Sequence, residues 1–134
     1  LMISLFGINW LAVILGTILS MALGALWYGP LFGQLWLKMI EKSADELEAD
    51  PMDYLKTSLA SFAAMVVLNA VVVTLEASGF LSGLTMGGLL FIGFGATATY
   101  VYTTFEGPPE NVWLLYAAYQ LVLFLVMGGT FAIW

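Results

Sequence analysis

A chain of 134 residues is long enough for one compact unit. Yet 62% of it is apolar and only 9% is charged, where a soluble domain averages about 25%, so water is not its main solvent. The net charge of −6, nine acids against three lysines, argues against a nucleic-acid partner, which needs a basic surface, and against docking on anionic headgroups, which recruit lysine and arginine clusters. With neither cysteine nor histidine, disulfides, thiol chemistry, imidazole proton relays and the common zinc and haem sites are excluded, and no cofactor or metal is expected.

Residues 1–37, 57–75, 77–105 and 111–134 contain no Asp, Glu, Lys or Arg, and nine of the twelve charged residues fall between Lys38 and Lys56. A hydrocarbon core about 30 Å thick needs roughly 20 apolar helical residues, and all four stretches meet that length. The expected fold is an all-α integral membrane protein. It is an up-and-down four-transmembrane-helix bundle with a short interfacial amphipathic helix after the first span. The N-terminus lacks the basic stretch of a signal peptide, so the first apolar run is expected to be retained, with Met2 as its start.

The first span is expected over about 8–28, closed by Trp27, Tyr28, Gly29 and Pro30. From 31 to 42, Leu31, Phe32, Leu35, Trp36, Met39 and Ile40 share one helical face, the pattern of a helix lying in the interface plane. An acidic loop follows over 43–53, with Ser43 and Glu46 spaced as a capping box. Asp50 and Pro51 open the next helix, Asp53 sits in its positive first turn, and its membrane span covers about 57–76. Ser78-Gly79 is expected to stop it, Gly79 serving as a left-handed cap. The third span covers about 84–105, Glu106 to Glu110 form a tight turn, and the fourth span covers about 112–134.

Lys38, Lys42 and Lys56 all lie between spans one and two. The positive-inside rule then places the first and third loops in the cytoplasm and both termini outside, in a plasma (inner) membrane. Trp10 and Trp134 mark one membrane interface; Trp27, Tyr28, Trp36, Tyr54, Tyr102 and Trp113 mark the other.

Small residues recur every fourth position in span one, at Ala12, Gly16, Ser20 and Gly24, and span three is rich in glycine, including Gly87 and Gly95. With Gly128 in span four these form close-packing faces, within the bundle or onto a partner helix. Inside the spans, Asn69, Thr97, Tyr119 and Gln120 are the midplane polar candidates, Asn69 and Gln120 being expected close enough to meet. Thr57, Ser61, Met65 and Asn69 form a mildly polar stripe. The competing roles are an interhelical hydrogen bond of about 0.6–2 kcal/mol and a polar site for a solute. Glu76 and Glu106 sit at span ends, where they reach headgroup water.

The order Ile8-Asn9-Trp10-Leu11-Ala12-Val13, then Gly24-Ala25-Leu26-Trp27-Tyr28-Gly29-Pro30-Leu31-Phe32-Gly33, resembles the signature of the domain-of-unknown-function 1761 family. Phe105-Glu106-Gly107-Pro108, Ala118-Tyr119-Gln120-Leu121 and Val126-Met127-Gly128-Gly129 resemble its third turn and last span. The resemblance implies a small four-span protein, mostly bacterial, and carries over no catalytic residue.

No Ser-His pair, paired acids or metal cluster supports an enzyme, and none is expected. The sequence therefore points first to a structural or accessory subunit. It would associate within lipid with other membrane-protein subunits or with itself. The alternative is an oligomeric small-solute or ion transporter or channel with a polar midplane site.

Overall fold

The computed structural model describes residues 7–47 and 49–134; Met2 and, in the acidic loop, Glu48 lie outside them. Among the described residues the regular structure is entirely helical. Four helices are long and apolar enough to cross a membrane: Trp10–Leu31, Pro51–Thr74, Phe80–Phe105 and Glu110–Ile133, of 22, 24, 26 and 24 residues. At 1.5 Å per residue these are about 33–39 Å long, which matches a bilayer core. The protein is a multi-pass membrane protein with a short helix after its first span.

Helix α1 (Trp10–Leu26) starts at Asn9, whose side-chain oxygen accepts the Ala12 N–H at 3.1 Å. That cap satisfies one of the free donors of the first turn. The helix runs on through a widened turn, Trp27–Leu31, where Gly29 leaves helical geometry (φ −112°, ψ −106°) and Pro30 has no N–H to offer. The chain bends there into α2 (Gly33–Ile40). Gly33 lies so close to the Tyr28 carbonyl that an added Cβ would come within 2.8 Å of its oxygen. The expected helix over 31–42 thus keeps only its middle. Pro30 and Gly29 consume its first residues in the bend, and Glu41 ends it in the left-handed region at φ 55°.

Glu46 accepts hydrogen bonds from the Ser43 N–H (3.4 Å) and hydroxyl (3.1 Å), closing the short turn Ala44–Glu46. Helix α3 (Pro51–Thr74) opens as its sequence predicts. Asp50 accepts from the Met52 N–H at 3.0 Å, Asp53 accepts from the Asp50 N–H at 3.2 Å, and Pro51 takes the first position. Its end differs from expectation. Glu76, not Gly79, adopts the left-handed conformation (φ 52°), with the Glu76 and Ala77 N–H groups bonded to the Val73 and Val72 carbonyls. Gly79 (φ 86°) precedes the next helix instead.

Span three is α4 (Phe80–Leu90) and α5 (Thr97–Phe105), joined by a widened π-type segment, Phe91–Ala96. Widening leaves main-chain carbonyls without their usual partners. The Thr97 and Thr99 hydroxyls donate back to the Gly93 and Gly95 carbonyls at 2.8 and 2.7 Å, which restores satisfaction inside lipid. Helix α6 (Glu110–Ile133) forms the last span.

The bundle is narrow at one end and wide at the other. At the end carrying the termini, α4 and α6 meet backbone to backbone. A Cβ on Gly83 would strike the Gly128 carbonyl oxygen, and one on Gly87 the Phe124 carbonyl oxygen. Beside this contact, Val13, Met65, Leu68, Val72, Leu123, Met127 and Phe131 form the core. At the acidic-loop end the helices carry tryptophan and tyrosine in place of glycine and cannot approach as closely. Large apolar side chains such as Leu11, Leu59, Leu81 and Phe94 lie exposed on the outer faces, as a lipid-solvated surface requires.

Candidate functional site

The wide end holds an open cavity of about 1030 Å³. Its walls come from α1, α2, α3, α5 and α6, and Glu46, Leu47, Ala49, Asp53 and Pro108 surround its mouth at the acidic-loop end. Seven aromatic side chains line it: Tyr28, Trp36, Tyr54, Tyr102, Trp113, Tyr116 and Tyr119. Drug-sized ligand sites usually measure about 300–1,000 Å³, so a single chain provides a full binding volume.

The floor is a hydroxyl cluster. Ser20, buried on α1, pairs with Ser61 of α3 at 3.0 Å. The Tyr119 hydroxyl, from α6, donates to the Ser20 carbonyl at 2.7 Å and lies 3.3 Å from the Ser20 hydroxyl. Three helices are thus tied at one depth. Ser61 stands ten residues into α3, so the floor is about 15 Å from the helix start. Immediately beyond it Gly16 faces the Met65 sulfur and the Met127 methyl group, and the apolar core closes the path.

The walls are stiffened by bonds that use up their own polar atoms. The Trp27 indole N–H donates to the Leu115 carbonyl at 3.1 Å. The Trp113 N–H donates to the Thr99 hydroxyl at 2.9 Å, and that hydroxyl in turn donates a hydrogen bond to the Gly95 carbonyl. Tyr28 stands edge-on to Trp36 (centroids 4.9 Å apart) and to Tyr119 (6.0 Å). Aromatic rings fixed in this way present their faces and edges with little entropy to lose on binding. The lining contains two carboxylates, Glu46 and Asp53, and no lysine.

The sequence candidates divide between this cavity and the core. Tyr119 and Gln120 line the cavity. Asn69 does not: it is 1% exposed, and its side-chain oxygen accepts the Asn9 N–H at 3.0 Å, fastening α3 to the start of α1. The expected meeting of Asn69 and Gln120 does not occur. Helix α3 begins at Pro51, so Asn69 is eighteen residues in, about 27 Å from that end, while Gln120 is ten residues into α6, about 15 Å. Thr97 is exposed on the outer face and occupied with Gly93, whereas its neighbour Thr99 lines the cavity. The polar stripe on α3 splits likewise: Thr57 and Ser61 face the cavity, Met65 and Asn69 the core.

Among the packing candidates, Ala12, Gly16, Ser20, Gly87 and Gly128 are buried inside the single chain. Gly24 gives room to the Tyr119 hydroxyl, and Gly95 to the Phe91 ring of its own span. Of the interface aromatics, Tyr28, Trp36 and Trp113 line the cavity and Trp27 is tied to α6, while Trp10 and Trp134 are exposed at the other end. Tyr116 was not a candidate. The signal was present: Trp113, Tyr116 and Gln120, spaced by three and four, share one face of α6.

A family model described as a protein of unknown function (DUF1761) matches residues 11–132. The chain belongs to the DUF1761 family. The match takes in every cavity-lining residue and, but for Trp10 and Ile133, all four spans of this DUF1761 protein. No curated protein and no solved structure matches the chain.

Proposed function

We propose that the cavity binds a small solute halfway into the bilayer and that the protein belongs to the small-solute transporter class. The observation carrying this reading is the cavity itself: ligand-sized, aromatic-walled, floored by hydroxyls within the helical bundle, and closed beyond Ser20, Ser61 and Tyr119 by the core. A site reached from one face and sealed from the other is the arrangement a carrier needs in one of its states. With three lysines on the mouth side, the mouth faces the cytoplasm and both termini lie outside, in the plasma (inner) membrane.

The accessory-subunit reading ranks second. The small residues that would carry helix docking are already used inside one chain. Association with other subunits or with further copies would have to use the lipid-facing surface around Leu11, Leu59 and Leu81. No catalytic role is proposed.

The test is uptake into proteoliposomes of a panel of small amphiphiles carrying positive, neutral or negative headgroups. Ser61→Phe, which fills the cavity floor, serves as the blocked variant. Uptake above empty liposomes that Ser61→Phe abolishes is the expected result. A panel in which nothing moves, or moves equally with Ser61→Phe, would overturn the proposal.

A further inference from the structure

We infer that the cavity selects a cationic amphiphile, a lipophilic amine or quaternary ammonium compound; this rests on the binding role proposed above. Three features converge. Aromatic faces attract an ammonium group through their quadrupoles, and seven aromatic side chains line this cavity. Among the described residues, the charged side chains of the lining are the carboxylates of Glu46 and Asp53, both at the mouth, while Lys38, Lys42 and Lys56 stay outside it. The mouth segment 38–56 holds six acids and three lysines, a net charge of −3, so the approach is negative as well.

The third feature gives the ligand its apolar part. Between the cavity's carboxylates and its hydroxyl floor the lining is largely apolar, with Met21, Ala25, Leu47 and Val112 beside the rings. Charge therefore falls with depth, from carboxylates at the mouth to aromatic and aliphatic surface below them. A molecule matching that gradient has a positive head and an apolar tail. An anionic head would meet two carboxylates and no cation.

The experiment compares three ligands with one tail and different heads: decyltrimethylammonium, decyl maltoside and decyl sulfate. Each is titrated calorimetrically into the full chain in phosphatidylcholine nanodiscs, with empty nanodiscs subtracted. Decyltrimethylammonium is expected to bind saturably and decyl sulfate at least about tenfold more weakly, the difference shrinking at high salt. Glu46→Gln together with Asp53→Asn is expected to raise the Kd for the cation about tenfold and leave decyl maltoside unchanged. Asp53 also caps α3, so Glu46→Gln alone, expected to raise it about threefold, keeps the test valid if the double variant fails to fold. Equal, Ser61→Phe-sensitive binding of all three ligands would overturn the charge selection and leave the binding role standing. Saturable binding of none would overturn both.

Discussion

Replacing Gly128 by alanine adds a single methyl group where there is no space for one. The new Cβ would collide with the Gly83 carbonyl oxygen and lie 3.1 Å from both the Gly83 carbonyl carbon and the Gly87 Cα. All three atoms are backbone, so no rotamer change relieves the clash, and α4 and α6 must separate. Overpacking a tight site typically costs about 1–3 kcal/mol, and this site lies at the high end because a helix must move. A loss of about 3 kcal/mol lowers the folded-to-unfolded ratio roughly 150-fold. The comparison is Gly93→Ala on the same span, where nothing lies within 4 Å of the added Cβ. That change is expected to be neutral or to stabilise by up to about 1 kcal/mol. Both are read from the tryptophan fluorescence of the protein during dodecyl sulfate titration in mixed micelles. If Gly128→Ala unfolds at the same midpoint as Gly93→Ala, glycine contact between α4 and α6 does not hold this bundle together.

Three further outcomes are expected. Asn69→Leu strips the Asn9 N–H of its acceptor in a buried place and should cost about 1–3 kcal/mol in the same titration; an unchanged midpoint would show that the bond contributes nothing. Because the chain has no cysteine, Ser61→Cys should react with a membrane-impermeant maleimide added from the acidic-loop side, and Met65→Cys, fully buried in the core, should not; equal reactivity would mean the floor is not closed. Glu76→Gly should raise stability by about 0.5–1 kcal/mol, since Glu76 holds a left-handed φ of 52° that costs an L-residue about 1–2 kcal/mol; a lowered midpoint would show that its carboxylate matters more than its backbone.

The sequence alone determined what depends on solvent and on neighbouring residues along the chain. Four charge-free stretches had to be spans, because lipid tolerates only segments that satisfy their own backbone. Asp50, Pro51 and Asp53 had to start a helix, and Gly29 with Pro30 had to end one, because caps and breakers act within a turn. The tertiary structure alone decided which face of each span looks inward. In water, burial separates apolar from polar faces, but lipid and protein interior are equally apolar, so periodicity does not reveal the inner side of a membrane helix. Tyr28, Trp36 and Trp113, expected as interface anchors, therefore gave no sign that they also line a cavity, and Asn69, expected beside Gln120, is fastened to Asn9. The cavity exists because glycine closes the bundle at one end and aromatic rings hold it open at the other, a relation between helices that no single stretch of sequence contains.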